Sequence, residues 1–303
     1  MSGADGAALQ AADHGASRWT GYAMVAGAAS SWGLWPLFLR RAESYGPIVP
    51  ELESAVVLIF LTVLSGLAML RDRSTRRADG KAWAGVVWLG VSDALNVVFF
   101  FLAIQTTTVA VAVLSHYLTP VLVALGAPLV LGERVSARTF GAVAMSLLGL
   151  VLLLGPWREG GASSSLVLGA AYGAASAVFY ASNVLTNKRL SRVFSGSELS
   201  FYHGLVAVPV VVALVPRGAW SAVAQPAWTL LALGSIGPGA IAGLVFVWGL
   251  RRVPAAHASA LTLLEPFVAV MIGIAVFGEA LTLAGAVGGI LVLAGAALVV
   301  LKR

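Results

Sequence analysis

The chain has 303 residues, 59% of them hydrophobic and only 11% charged, with a mean hydropathy of +0.92; a soluble domain carries about 25% charged residues. That composition excludes a water-soluble globular domain and predicts a membrane protein. The absence of cysteine excludes disulfides, thiolate metal sites and cysteine nucleophiles. The net charge of +6 sits in short basic clusters between apolar runs, which suits membrane topology and not nucleic-acid binding.

Residues 1–18 are small and polar, with neither a basic start nor an apolar core, so they read as a disordered tail and not as a signal peptide. From Trp19 onward ten apolar stretches follow, each near the roughly 20 residues needed to cross about 30 Å of hydrocarbon. They fall near 19–39, 50–70, 82–104, 109–131, 137–155, 165–187, 197–215, 227–250, 256–276 and 282–301. Of the 19 basic residues, Arg40, Arg41, Arg158 and Arg217 lie on one side of such a chain and the rest on the side carrying both termini. By the positive-inside rule both termini are cytoplasmic, in a multi-pass protein of a bacterial-type inner membrane.

A shift of 146 residues superimposes Pro120 on Pro266, Gly132 on Gly278, Glu133 on Glu279 and Gly149 on Gly295. A shift of 147 superimposes Gly90 on Gly237, Phe99 on Phe246 and Glu51-Leu52 on Glu198-Leu199. Two halves of five spans, 19–155 and 165–303, explain both shifts. Because five is odd, the halves enter the membrane from opposite sides. The expected fold is therefore an all-α polytopic membrane protein of ten transmembrane helices in two inverted repeats, the architecture of secondary transporters with a midplane site between the halves.

Two copies of Pro-x11-Gly-Glu followed by Ser136 or Thr282, the SSWGLWP run at 30–36 and the ten spans resemble the drug/metabolite transporter superfamily, EamA type. Within it, VLTNK at 184–188 and HYLTP at 116–120 are most similar to the YddG-like amino-acid exporters. The resemblance implies export of amino acids, aromatic or otherwise apolar, or of related small metabolites by alternating access.

Residues that break the apolar pattern are the candidates for such a site. Asp93, with Asn96 beyond it, interrupts span three; a mid-membrane carboxylate binds an ammonium group, titrates, pairs with a base or caps a local break. Pro120 and Pro266 withhold an N–H from the carbonyls of His116 and Thr262, bending spans four and nine and freeing an acceptor that must face protein or a cavity. His116 and Tyr117 lie at the first bend. Glu265 precedes the second, and a carboxylate in apolar surroundings can exchange a proton when the site opens to either side. Trp32 in span one corresponds to Phe179 beside Tyr180 in span six, where Asn183 follows; rings would cover an apolar side chain and the amide would hold a polar head. Tyr202 and His203 in span seven are further candidates. Pro238, between two glycines in span eight, weakens that helix at depth. His257 reads as interfacial, and Trp19, Trp83, Trp157, Trp220 and Trp228 as an aromatic belt.

Glu133 and Glu279 sit at span ends beside capping residues and read as structural. Gly285 and Gly289 have the GxxxG spacing of close helix contacts, within the chain or across a homodimer. No phosphate-binding loop, HExxH or GxSxG pattern occurs, so neither ATP, a metal nor any other cofactor is expected, and the chain is not expected to be an enzyme. The expected partners are a small-molecule substrate and the lipid bilayer. A carrier of organic cations or nucleotide sugars is the nearer alternative, and an intramembrane transferase the remote one.

Overall fold

A computed structural model describes residues 3–74, 76–158 and 165–301. The order of helices is α1 (Gly3–Trp32), α2 (Trp35–Glu43), α3 (Pro50–Met69), α4 (Gly80–Thr106), α5 (Val109–His116), α6 (Thr119–Leu131), α7 (Ala137–Leu154), α8 (Ser165–Leu190), α9 (Gly196–Leu214), α10 (Ala219–Ala222), α11 (Gln225–Gly234), α12 (Ala242–Leu250), α13 (Ala255–Leu261), α14 (Leu264–Phe277) and α15 (Leu283–Val300). A π-helical segment, Ser235–Ile241, joins α11 to α12. No strand occurs among the described residues. Eight segments are long and apolar enough to cross a membrane, namely α3, α4, α5–α6, α7, α9, α11–α12, α13–α14 and α15. The pair α1–α2 and the helix α8 supply the other two crossings. The bundle turns apolar side chains outward, among them Leu129, Val167 and Leu283, at 88%, 76% and 83% exposure. Such a surface is matched to lipid tails.

The helix contacts obey the inverted repeat. Helix α3 packs on its own counterpart α9, and α7 on α15. Exchanging the halves turns the packing of α4 on α8 into that of α12 on α1, and the packing of α5 and α6 on α8 into that of α13 and α14 on α1. The GxxxG stripe is used inside the chain: Gly288 lies against Gly149 and Leu153, and Gly289 against Phe267. A Cβ on Gly149 would stand 2.6 Å from the Gly288 carbonyl oxygen and 2.8 Å from the Val292 nitrogen, so α7 and α15 would have to part. Gly149→Ala is therefore expected to destabilise the protein by about 1–3 kcal/mol, the usual cost of overpacking. Gly141→Ala, on the same helix with open space around it, serves as the control; equal melting temperatures for both variants in detergent would refute the close contact.

Both prolines break their spans at corresponding places, α5 from α6 at residues 117–118 and α13 from α14 at 262–263. The freed acceptors are occupied. The Thr119 hydroxyl donates to the His116 carbonyl at 2.7 Å, and the Glu265 amide donates to that of Thr262 at 3.0 Å. Each of these carbonyls thus has an internal partner. Pro238 distorts its span without unwinding it, since the wider π-helical turns absorb the missing donor. Span one departs from expectation, being broken at Gly33-Leu34. Helix α1 also begins at Gly3, inside the segment read as a tail; that segment is rich in alanine, the strongest helix former.

The Gly-Glu junctions keep their glycines and redirect their carboxylates. Gly132 and Gly278 end α6 and α14 with φ of 69° and 70°, a conformation that favours glycine. Ser136 and Thr282 cap α7 and α15 by accepting from the Thr139 and Gly285 amides. Relieved of the capping role, Glu133 and Glu279 reach other parts of the bundle. His257, near the start of α13, is buried against other helices: its ring lies between the Tyr22 hydroxyl at 2.6 Å and the Thr139 hydroxyl at 3.2 Å.

Candidate functional site

A cavity of about 260 Å³ lies between the halves. The first half lines it with Trp32 at the end of α1, Trp35 at the start of α2, Glu53, Ser54, Val57 and Leu58 of α3, and Asp93 and Val97 of α4. The second half contributes Pro238 and Gly239 from the π-helical segment and Glu265 from the first turn of α14. The breaks in the helices put these residues together. Gly33, at the gap between α1 and α2, lets that gap approach α14 so closely that a Cβ would meet the Glu265 carbonyl oxygen at 2.5 Å. The π segment presents Pro238 and Gly239 to the cavity.

Asp93 is held from two other helices. Asn183 Nδ2 of α8 donates to its Oδ1 at 3.3 Å, and His203 Nε2 of α9 lies 3.4 Å from its Oδ2. Glu265 lies near the Tyr117 side chain at the α5–α6 break. Tyr180 lies in the neighbourhood of both carboxylates. Glu53 lies near Trp35 in the same lining. The site thus presents three carboxyl groups, two indole faces and no lysine or arginine among the described residues that line it. That surface suits a positively charged head with an apolar body.

Behind this cavity stands a second layer. His116 Nδ1 is 2.8 Å from the Ser176 hydroxyl, which donates to Asn96 Oδ1 at 2.8 Å. The His116 ring stacks on Tyr180 at 5.3 Å and meets Phe100 at 4.8 Å. Phe179 stacks on Phe99 at 5.6 Å. Of the expected residues, Trp32, Asp93, Pro238 and Glu265 line the cavity, Asn183 and His203 hold Asp93, and Tyr117 lies near Glu265. Asn96, His116, Phe179 and Tyr180 support the wall. Pro120 sets the bend beneath Tyr117, as Pro266 does beside Glu265.

Tyr202 does not reach the cavity; it packs on Trp83 at 5.0 Å and on Phe194. Neighbouring residues on a helix point about 100° apart, and His203 takes the inward direction. Glu53, Ser54 and Trp35 escaped the sequence reading. The signal was available in the spacing: Glu53 with Val57, and Ser54 with Leu58, are i,i+4 pairs that form one face of α3.

The profile of the EamA-like transporter family matches the chain twice, over residues 19–155 and 167–301. An uncharacterized transporter of Archaeoglobus fulgidus is 33% identical over 72% of this chain and 77% of its own length. The pseudopaline exporter CntI of Pseudomonas aeruginosa is 32% identical over 52% of this chain and 54% of its own. A solved crystal structure shares the fold, with a TM-score of 0.80, 23% identity and coverage of 93% of this chain and 98% of that one.

Proposed function

The chain belongs to the EamA-like transporter family, and from that premise we propose that it is a secondary exporter of small amine-bearing metabolites, amino acids foremost, working by alternating access. The cavity carries this reading: both repeats line it, and Asp93, fixed by Asn183 and His203, offers a charged acceptor beside the indoles of Trp32 and Trp35. An ammonium group bound at Asp93 would leave an apolar side chain against the tryptophans. The family match and the exporter among the relatives support small-metabolite export. The distribution of basic residues supports cytoplasmic termini in an inner membrane. Glu265 is the proposed proton-coupling group, with Asp93 as the second.

The three carboxyl groups favour a second reading, an exporter of organic cations. Nucleotide sugars are disfavoured, because no lysine or arginine among the described lining residues stands ready for a diphosphate. Purified protein in liposomes, offered amino acids, organic cations and nucleotide sugars with and without a pH gradient, separates these readings. Uptake of amino acids above that of protein-free liposomes is expected. Failure of every amino acid alongside uptake of a cation would replace the first reading with the second.

A further inference from the structure

The repeat relates the two ends of the bundle, and in this structure they are not in the same state. At the end where α12 meets α13, Lys188 Nζ of α8 donates to the carbonyls of Leu250 and Val253 at 2.7 Å and of Arg251 at 3.2 Å. From the other side Glu133 Oε2 accepts from the Ala255 amide at 2.7 Å. A cation thus grips the last carbonyls of α12 and a carboxylate the first N–H of α13, groups that a helix leaves unpaired at its ends. The gripped turn joins the two spans that carry Pro238 and Glu265 into the cavity. Both spans are thereby fastened to α6 and α8, and this end is shut.

The same shifts carry Glu133 to Glu279, Lys188 to Arg41 and Ala255 to Val109. The equivalent turn lies between α4 and α5, which bring Asp93 and Tyr117 to the site. Here the counterparts are apart. Glu279 pairs with Arg40 at 2.5 Å, and that guanidinium lies 4.8 Å above the Phe277 ring. Arg41 is exposed. Val109 is 58% exposed, whereas Ala255 is fully buried. The cavity reaches toward this end, through Glu53 and Ser54 in the first turns of α3.

We propose that Lys188 and Glu133 form a latch that holds one end of the transporter shut, and that reorientation exchanges it for a mirror latch in which Arg41 and Glu279 grip the α4–α5 turn at residues 103–109. The Arg40–Glu279 pair keeps Glu279 from its latch in the present state and breaks as the second end closes. Four residues outside the cavity thus take a role in the transport cycle. The inference rests on the alternating-access reading, but its test needs no substrate.

The chain holds no cysteine, so a pair introduced by Val109→Cys and Ala280→Cys, adjoining the second latch, reports closure of that end by disulfide yield under mild oxidation. In the otherwise native chain the yield is expected to be low. Adding Lys188→Met with Glu133→Gln should raise it at least about fivefold, and adding Arg41→Met with Glu279→Gln to that background should return it to the low level. Lys188→Arg, which keeps the donor, should leave the yield low, and gel filtration of each variant guards against misfolding. An unchanged yield in a monodisperse Lys188→Met, Glu133→Gln protein overturns the latch, as does a high yield that survives Arg41→Met with Glu279→Gln. A shifted yield in a protein that moves none of the offered solutes would refute the proposed substrates and leave the latch standing.

Discussion

Asp93→Asn is expected to lower substrate uptake about 10- to 100-fold while leaving the protein folded. A hydrogen bond to a charged group contributes about 1.5–3 kcal/mol, and each 1.4 kcal/mol is about tenfold in affinity. The amide has the shape of the carboxylate, so it can still accept from Asn183 and stand beside His203. What it loses is the negative charge offered to an ammonium group. His203→Gln is expected to cost less, because Asn183 still fixes the carboxylate of Asp93 and the charge remains. Uptake in liposomes, compared at equal protein and with melting temperatures within a few degrees of the native protein, reads the difference. If the Asn variant transports within twofold of the native protein, Asp93 is a tie between α4, α8 and α9 and no part of substrate binding.

The broken helices and the inverted repeat were legible because they rest on chemistry that a sequence states openly. A proline has no N–H wherever it stands, so Pro120 and Pro266 announced both breaks. Polar residues deep in apolar spans pointed to Asp93, Asn183 and Glu265 for a similar reason. The misses share a different cause: they depend on the direction in which a helix faces. Glu53 lies in the first turn of α3, where a carboxylate looks interfacial, and it is the packing of the π segment on α3, with Trp35 in the same lining, that encloses it. Tyr202 and His203 are neighbours in sequence, and which of them faces inward follows from the rotation of α9 against α4. The partners of His257, Tyr22 and Thr139, were hidden because they lie 235 and 118 residues away. The carboxylates of Glu133 and Glu279 looked alike in sequence and differ in the structure, since one grips a turn and the other an arginine.

Glu265→Gln is expected to uncouple transport from a pH gradient. Glu265 stands in the first turn of α14, in the same cavity as Asp93 and near Tyr117. Under the proposed alternating access, a carboxyl so placed would meet the solution on whichever side the cavity opens, taking up a proton from one and releasing it to the other. Glutamine preserves its size and polarity, but it stays neutral throughout the cycle. At one proton per substrate, a gradient of one pH unit supplies about 1.4 kcal/mol, enough for about tenfold accumulation. The native protein should approach that limit in liposomes, whereas the Gln variant should equilibrate its substrate without accumulating it and keep near-native exchange in the absence of a gradient. Tyr117→Phe, which leaves the carboxyl in place, should retain accumulation. Tenfold accumulation by the Gln variant would reassign Glu265 to holding α14 against the α5–α6 break, and Asp93 would then be the group through which any proton coupling must run.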